Sequence, residues 1–342
     1  MTASILVTGG AGYIGSHVAK SLARAGLRPV CFDNLSKGHH AAVRWGPLVI
    51  GDLCDGAGTE RALREYEVRA VIHLAGSIEV GESMREPAQF FHNNFSNTIT
   101  LLDAMRRVGV ESIVFSSTAA VYGTPQRVPI PEDHPTVPVN PYGESKLMVE
   151  RALHWAGLVH GVRWMALRYF NAAGADPDLE IGESHDPETH LIPRACLAAL
   201  GKGPSLNLFG TDYPTADGTA VRDYIHVSDL ARAHVLAVDH LIHGGESAAL
   251  NLGLGRGHSV SEVIRAVEQV SGRSVPYDTA PRRAGDPPVL VADPSAAMRT
   301  LGWKPAFTEL DPIVATAWRW HAREPSCSSS AERRAATAGT RS

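Results

Sequence analysis

The 342 residues, 44% of them hydrophobic, suffice for a full nucleotide-binding domain and a second, smaller lobe. A formal net charge of -4 offers no basic field to nucleic acid or anionic lipid, so the expected partner is a small molecule, with no nucleic acid and no membrane. Four cysteines, at Cys31, Cys54, Cys196 and Cys327, have neither zinc-site spacing nor the density of a secreted disulfide scaffold. No basic segment leads into a long apolar run near Met1, and a cytoplasmic, untargeted protein is expected. Histidine pairs such as His39–His40 and His240/His243 lack the carboxylates or cysteines that would complete a coordination sphere, so no metal is expected.

In chain order, β-branched runs at 5–8, 29–32, 48–50, 70–74, 112–115 and 164–168 read as strands. Helical patterns at 12–25, 59–66, 87–108 and 142–160 lie between them, with apolar residues recurring every three or four positions. This alternation predicts an α/β fold built on a doubly wound parallel Rossmann sheet. After Asn171 the alternation fails, and helices near 191–200, 228–241 and 260–270 belong to a smaller C-terminal α/β substrate lobe. Residues 1–170 are thus expected to bind a dinucleotide and 171–324 a substrate, with room for the chain to cross back. Residues 325–342, rich in Ser, Ala, Thr and Arg, are expected to form a disordered tail.

The first strand runs into Gly9-Gly10-Ala11-Gly12-Tyr13-Ile14-Gly15 and then a helix, the context that a dinucleotide fingerprint requires. Glycines let the backbone approach a pyrophosphate, and a helix N-terminus offers unpaired N–H groups. Asp33 ends the second strand, where a carboxylate accepts from ribose hydroxyls and repels a 2'-phosphate, favouring NAD over NADP. Asp52, after the third strand, is placed to meet the adenine amino group.

Tyr142-Gly143-Glu144-Ser145-Lys146 sets a phenol and an ammonium one helical turn apart on a single face. A phenolate near neutral pH needs a shift of about three units from the ordinary tyrosine value of about 10, or roughly 4 kcal/mol. Lys146 and the positive nicotinamide of NAD are the expected sources. Upstream, the run Ser116-Ser117-Thr118 puts hydroxyls at the carboxyl edge of the sheet, where Thr118 can bond a reacting sugar oxygen; the alternative role is a Ser/Thr turn cap.

These motifs, together with Val80-Gly81-Glu82-Ser83, Arg168-Tyr169-Phe170-Asn171 and Val221-Arg222-Asp223-Tyr224-Ile225-His226, resemble the extended short-chain dehydrogenases, and within them the UDP-glucose 4-epimerase family, to about Arg323. The resemblance implies that Gly9, Gly12, Tyr13, Ile14, Gly15, Asp33, Asn34, Asp52, Leu53, Leu74, Ala75, Gly76, Asn93, Tyr142, Lys146 and Phe170 border NAD. It implies a UDP-sugar site at Thr118, Asn171, His190, Leu191, Asn207, Leu208, Phe209, Arg222, Arg283, Asp286 and Leu290, and a homodimer formed through the 87–108 and 142–160 helices. Arg222 and Arg283 also make independent sense, since a planar guanidinium can grip two phosphate oxygens.

Four positions depart from that family's pattern. Thr118 stands for the usual Ser, Ile78 for a common Lys, His190 for Asn, and Leu290 for a pocket residue that is often Tyr. Smaller side chains at the last position admit N-acetyl sugars. The activity implied is inversion at C4 of a UDP-hexose: Tyr142 removes the C4 hydroxyl proton, directly or through Thr118, as hydride passes to the nicotinamide. The resulting 4-keto sugar turns over and is reduced on its other face. A dehydratase is disfavoured because Ala119 and Ala120 follow Thr118 where related dehydratases carry acids; a keto-reductase and an idle NAD-sensing binding module stay open.

Overall fold

The computed structural model describes residues 2–283 and 286–323. The expected tail at 325–342, with Cys327, lies outside the described residues. Strands β1 (Ser4–Thr8), β2 (Arg28–Asp33), β3 (Leu48–Ile50), β4 (Val68–His73), β5 (Ser112–Thr118) and β6 (Arg163–Tyr169) all fall where β-branched runs predicted them. The structure extends several by one to three residues, because backbone pairing continues after the apolar pattern stops.

Small strands follow: β7 (Asn171–Ala173), β8 (Leu206–Phe209), β9 (Val221–Arg222) and β10 (Tyr224–His226). Next comes β11 (Ala248–Leu252), then β12 (His258–Ser259), β13 (Tyr277–Ala280) and β14 (Val289–Leu290). The large sheet has seven strands, not six, in the order β11-β6-β5-β4-β1-β2-β3, and every pairing in it is parallel. Strand β11 comes from beyond residue 171 and pairs with β6 from Ala248 opposite Met165 to Leu252 opposite Tyr169. The chain therefore crosses back to the first domain.

Helices α1 (Tyr13–Arg24) and α2 (Gly56–Glu65) precede two short turns, α3 (Val80–Ser83) and α4 (Pro87–Phe90). They are followed by α5 (Asn97–Val108) and α6 (Pro141–His160). One face of the sheet packs on α1 and on α8 (Val227–Ile242) through Val18, Leu22, Leu230 and Val238, all buried against Ile5, Val7 and Ile72. The other face packs on α2, α5 and α6 through Leu63, Leu101, Met105, Val149 and Leu153. A separate core joins α7 (Leu191–Ala199), α9 (Val260–Ser271) and α11 (Leu310–Ala322) around Cys196, Val263 and Ile313. The short helix α10 (Ser295–Leu301) lies between them in sequence. Among the described residues, no helix is long and apolar enough to cross a membrane.

Sequence reading gave one unbroken helix over 87–108. Residues Phe91–Ser96 are instead π-helical, a wider turn between α4 and α5 that tends to occur where function needs a side chain re-aimed.

Candidate active site

Because the large sheet is parallel, the loops after β1, β2, β4, β5 and β6 gather at one edge. After β1, Gly9 adopts a φ of +69°, which non-glycine residues rarely tolerate. A Cβ on Gly15 would lie 2.1 Å from the Gly9 carbonyl oxygen, so the turn closes only with glycine there. Gly12 caps α1 without a side chain, which leaves the first-turn amides free for an anion. Such a cradle fits the pyrophosphate of NAD.

Asp33 is buried and accepts from the Ala11 amide at 2.9 Å and from the Leu35 amide at 2.8 Å. Its carboxylate thus braces the glycine turn, and each oxygen keeps lone-pair capacity for a ribose hydroxyl. Asn34 donates to Asp52 at 2.8 Å. The Cys54 amide, then Asn34, hold the Asp52 carboxyl below its usual range. Leu53 is buried beside them. On the other side, the amides of Leu74 and Ala75 donate to the Thr8 hydroxyl at 3.2 and 3.3 Å. Ile14 packs partly buried against the core. The buried Tyr13 turns inward, its hydroxyl donating to the Gly174 carbonyl at 2.7 Å, so only its backbone faces the cradle.

The π-helical turn brings two asparagines to the loop after Gly76. Asn93 donates to the Ser77 hydroxyl at 2.9 Å. Asn94 accepts from the Ser77 amide at 2.7 Å and donates to the Ser145 hydroxyl at 3.0 Å, tying this loop to α6. Sequence reasoning found Asn93 and missed Asn94; the adjacent asparagines were the available signal.

Helix α6 starts cleanly, with Pro141 in its first turn and the Asn140 side chain accepting from the Gly143 amide at 2.8 Å. Four residues apart, Tyr142 and Lys146 share a face. The Tyr142 phenol faces the Thr118 hydroxyl, which accepts from the Ala120 amide at 3.2 Å, so Thr118 acts as the turn cap and stands beside the phenol. Lys146 is buried and donates to the Ser116 carbonyl at 2.9 Å, with its ammonium 4.9 Å from the Phe115 ring centre. Burial pulls Lys146 down to about 8. Burial also pushes the Tyr142 phenol above its ordinary value, the Thr118 bond opposing and the Glu79 charge adding to the rise. The expected lowering by Lys146 is therefore not supplied by the chain alone, since burial penalises the phenolate and the ammonium is engaged elsewhere.

On the substrate side, Arg222 (β9) pairs with Asp286 at 2.5 Å, and Leu290 (β14) lies opposite Arg222 in register. Arg283 is exposed and stacks 4.1 Å above the Phe209 ring. In the same strand, β8, Leu208 is buried and Asn207 exposed. Leu290 and Phe170 pack together against Tyr122, Ile130 and Leu147, the last being the neighbour of Lys146 on α6. Asn171 opens β7, its amide donating to the Asp223 carbonyl at 3.1 Å. His190 caps α7 ahead of Leu191, and its Nδ1 lies 2.5 Å from Glu183, so one side of that imidazole is already occupied.

The profile of the NAD dependent epimerase/dehydratase family matches residues 5–253. The chain belongs to this family. The UDP-glucose 4-epimerase of Rhizobium meliloti (strain 1021) is 52% identical over 94% of this chain and 97% of its own. A crystal structure of UDP-glucose 4-epimerase from Brucella ovis in complex with NAD is 51% identical, with a TM-score of 0.92 over 94% of this chain and 99% of that one. The enzyme from Bifidobacterium longum, solved with NAD+ and UDP, is 38% identical with a TM-score of 0.90, covering 94% and 99% of the two chains.

In this epimerase/dehydratase chain, residues to which sequence reasoning gave no supporting role brace Thr118 and Tyr142 from below. Ser116 and Tyr169 share a hydrogen bond, and Ser117 donates to Glu150 at 2.5 Å. Glu150 pairs with Arg168, whose guanidinium also reaches the Tyr122 hydroxyl at 3.0 Å. All of these side chains are buried. They fix the end of β5 relative to α6, and hence Thr118 relative to Tyr142.

Proposed function

We propose that this chain interconverts UDP-glucose and UDP-galactose by inverting C4, with NAD retained as cofactor and regenerated in each cycle. The observation that carries this reading is the Thr118–Tyr142–Lys146 group, with Thr118 and Lys146 buried and Tyr142 half-buried, at the sheet edge that also holds the glycine cradle and Asp33. When bound, NAD accepts the C4 hydride and returns it.

The chain's own residues supply the rest. Tyr142 takes the C4 hydroxyl proton, directly or through Thr118, and later gives it back. Lys146, fixed on the Ser116 carbonyl, lines the cofactor site with Phe170. The first-turn amides of α1 hold the pyrophosphate, and Asp33 the adenosine ribose. Arg222, Arg283, His190 and the Leu191 amide grip the UDP diphosphate, while Asn171, Asn207, Leu208, Phe209 and Asp286 frame the nucleotide. Around the hexose, Leu290 and Phe170 form an apolar wall with few charged contacts. A tight grip on the nucleotide and a loose one on the sugar lets the 4-keto intermediate present its other face.

A second reading, a UDP-N-acetylhexosamine 4-epimerase, is favoured specifically by Leu290, whose side chain is smaller than a tyrosine. Purified protein incubated with UDP-galactose, and separately with UDP-N-acetylgalactosamine, should form the C4 epimers by NMR without net NADH. Conversion of neither, with NAD added, overturns the assignment.

We further propose a cytoplasmic homodimer. Met148, Arg151, Ala152 and Trp155 form one stripe of α6 and, with Phe95, line an open apolar groove. Trp155, Leu158 and Val159 are each more than 60% exposed, a patch that a second copy would cover. Light scattering on the native protein checks the mass.

A further inference from the structure

The segment leading into α7 reads Glu183-Ser184-His185-Asp186-Pro187-Glu188-Thr189-His190, two Glu-x-His pairs in succession. In extended backbone, residues two apart share a side, so each pair can present a carboxylate and an imidazole together. The fold then brings the two pairs onto one another. His185 Nδ1 lies 3.2 Å from Glu183 and 3.6 Å from Glu188. His190 Nδ1 lies 2.5 Å from Glu183 and 3.6 Å from Glu188. One ligand atom from each of the four residues lies within 4.8 Å of all the others.

Donors arranged tetrahedrally around zinc with bonds of about 2.1 Å stand about 3.4 Å from one another. The His185–Glu183 contact has nearly that spacing, and so does the contact of each imidazole with one of the two Glu188 oxygens. The short fourth contact is a hydrogen bond whose proton a cation would displace. Independently, His185 Nδ1 is buried with no aligned hydrogen-bond partner although it faces two carboxylates. Those carboxylates stand within ion-pair distance but out of hydrogen-bond line, and a cation between the four groups would meet the imidazole nitrogen directly.

The surroundings hold these donors in place. Trp320 donates its indole N–H to the Glu183 carbonyl at 2.8 Å, and a Cβ on Gly182 would meet the same indole at 2.4 Å, so this backbone lies flat against α11. His39 bonds the Ser184 carbonyl at 2.7 Å, and the Tyr13 ring stands edge-on to His185. The neighbouring acidic group, Asp176, Asp178 and Glu180, has no such vacancy, because the Lys20 ammonium sits 2.6 to 3.0 Å from all three.

We propose that Glu183, His185, Glu188 and His190 form a site for a divalent transition-metal cation of the zinc class, which fastens the 183–190 segment ahead of α7. Two carboxylates balance the dication, and two imidazoles favour zinc over calcium or magnesium, which prefer all-oxygen sites. None of the four belongs to the Thr118–Tyr142–Lys146 group, so the cation takes no part in the proton and hydride chemistry; through His190 it would also fix one of the groups assigned to the UDP diphosphate. The test is equilibrium dialysis of the full chain with NAD, stripped by chelator and titrated with zinc chloride alone, with metal read by elemental analysis. One equivalent per chain is expected, with His185→Gln and Glu188→Gln each weakening binding by at least about tenfold. Cobalt(II) in the native chain should give the intense visible bands of a tetrahedral site, a readout that needs no variant. Sub-stoichiometric zinc, zinc binding retained in a variant combining His185→Gln with Glu188→Gln, or weak octahedral cobalt bands would each overturn the site.

Discussion

The Lys146 ammonium donates to the Ser116 carbonyl at 2.9 Å, one helical turn along α6 from Tyr142, whose phenol faces the Thr118 hydroxyl. Lysine and tyrosine thus act on the sheet edge from one helix face through separate partners. Burial dominates both groups and disfavours the charged form of each.

Replacing Tyr142 by Phe removes the proposed proton carrier but no packing. Turnover should fall by about 10²-fold or more, with NAD still bound by absorbance and fluorescence. Lys146→Met should also slow turnover and, in addition, weaken NAD retention. Undiminished epimerisation in Tyr142→Phe would remove Tyr142 from the mechanism.

Gly15→Ala places a Cβ 2.1 Å from the Gly9 carbonyl oxygen, and a backbone atom cannot swing aside as a side chain can. The pyrophosphate cradle should open, and NAD affinity should drop by one to two orders of magnitude, roughly 1.4 to 2.8 kcal/mol. Calorimetry on stripped protein measures this. Unchanged affinity would mean that the turn is not the cofactor's phosphate site.

Glu150→Gln leaves the buried Arg168 guanidinium without its counter-charge. Breaking one side of a buried pair costs about 3–5 kcal/mol, so the urea midpoint should fall clearly. A shift equivalent to less than about 1 kcal/mol would mark the pair as no stronger than a surface one.

Burial holds His17 and His234 down at about 4, and His73 and His226 at about 3. The unfolded chain takes up protons at its ordinary imidazole value of about 6.5, before the folded one does. The stabilisation these neutral rings provide is complete above that value. It is lost as pH falls from about 6.5 through 4 and then 3, at up to about 1.4 kcal/mol per pH unit for each ring. Urea midpoints at pH 7 and pH 5 should therefore differ, with net proton uptake on unfolding at pH 5. Equal midpoints would show that these four rings do not control acid stability.

The glycine turn, Asp33, the Tyr142/Lys146 spacing and six parallel strands were legible in the chain because each is local: it depends on residues within a turn or on the period of one strand. The seventh strand was not assigned, since β11 reads as one short apolar run among others until β6 offers it an unpaired edge. The π-helical turn at Phe91–Ser96 was invisible because hydrophobic period does not distinguish it from an α-helix. Asn94 matters only once that turn aims it at Ser77 and Ser145.

The sequence by itself determined the fold class, the glycine turn after the first strand and the shared face of Tyr142 and Lys146, through backbone geometry that only glycine allows and through the fixed spacing of a helix. The tertiary structure decided which partner each charged group meets: Lys146 with Ser116, Glu150 with Arg168, and Glu183 with His185 and His190. Those pairings join segments whose alignment is set by the packing of whole helices and sheets. Coulombic and desolvation energies depend on that packing, and no local pattern in the chain encodes it.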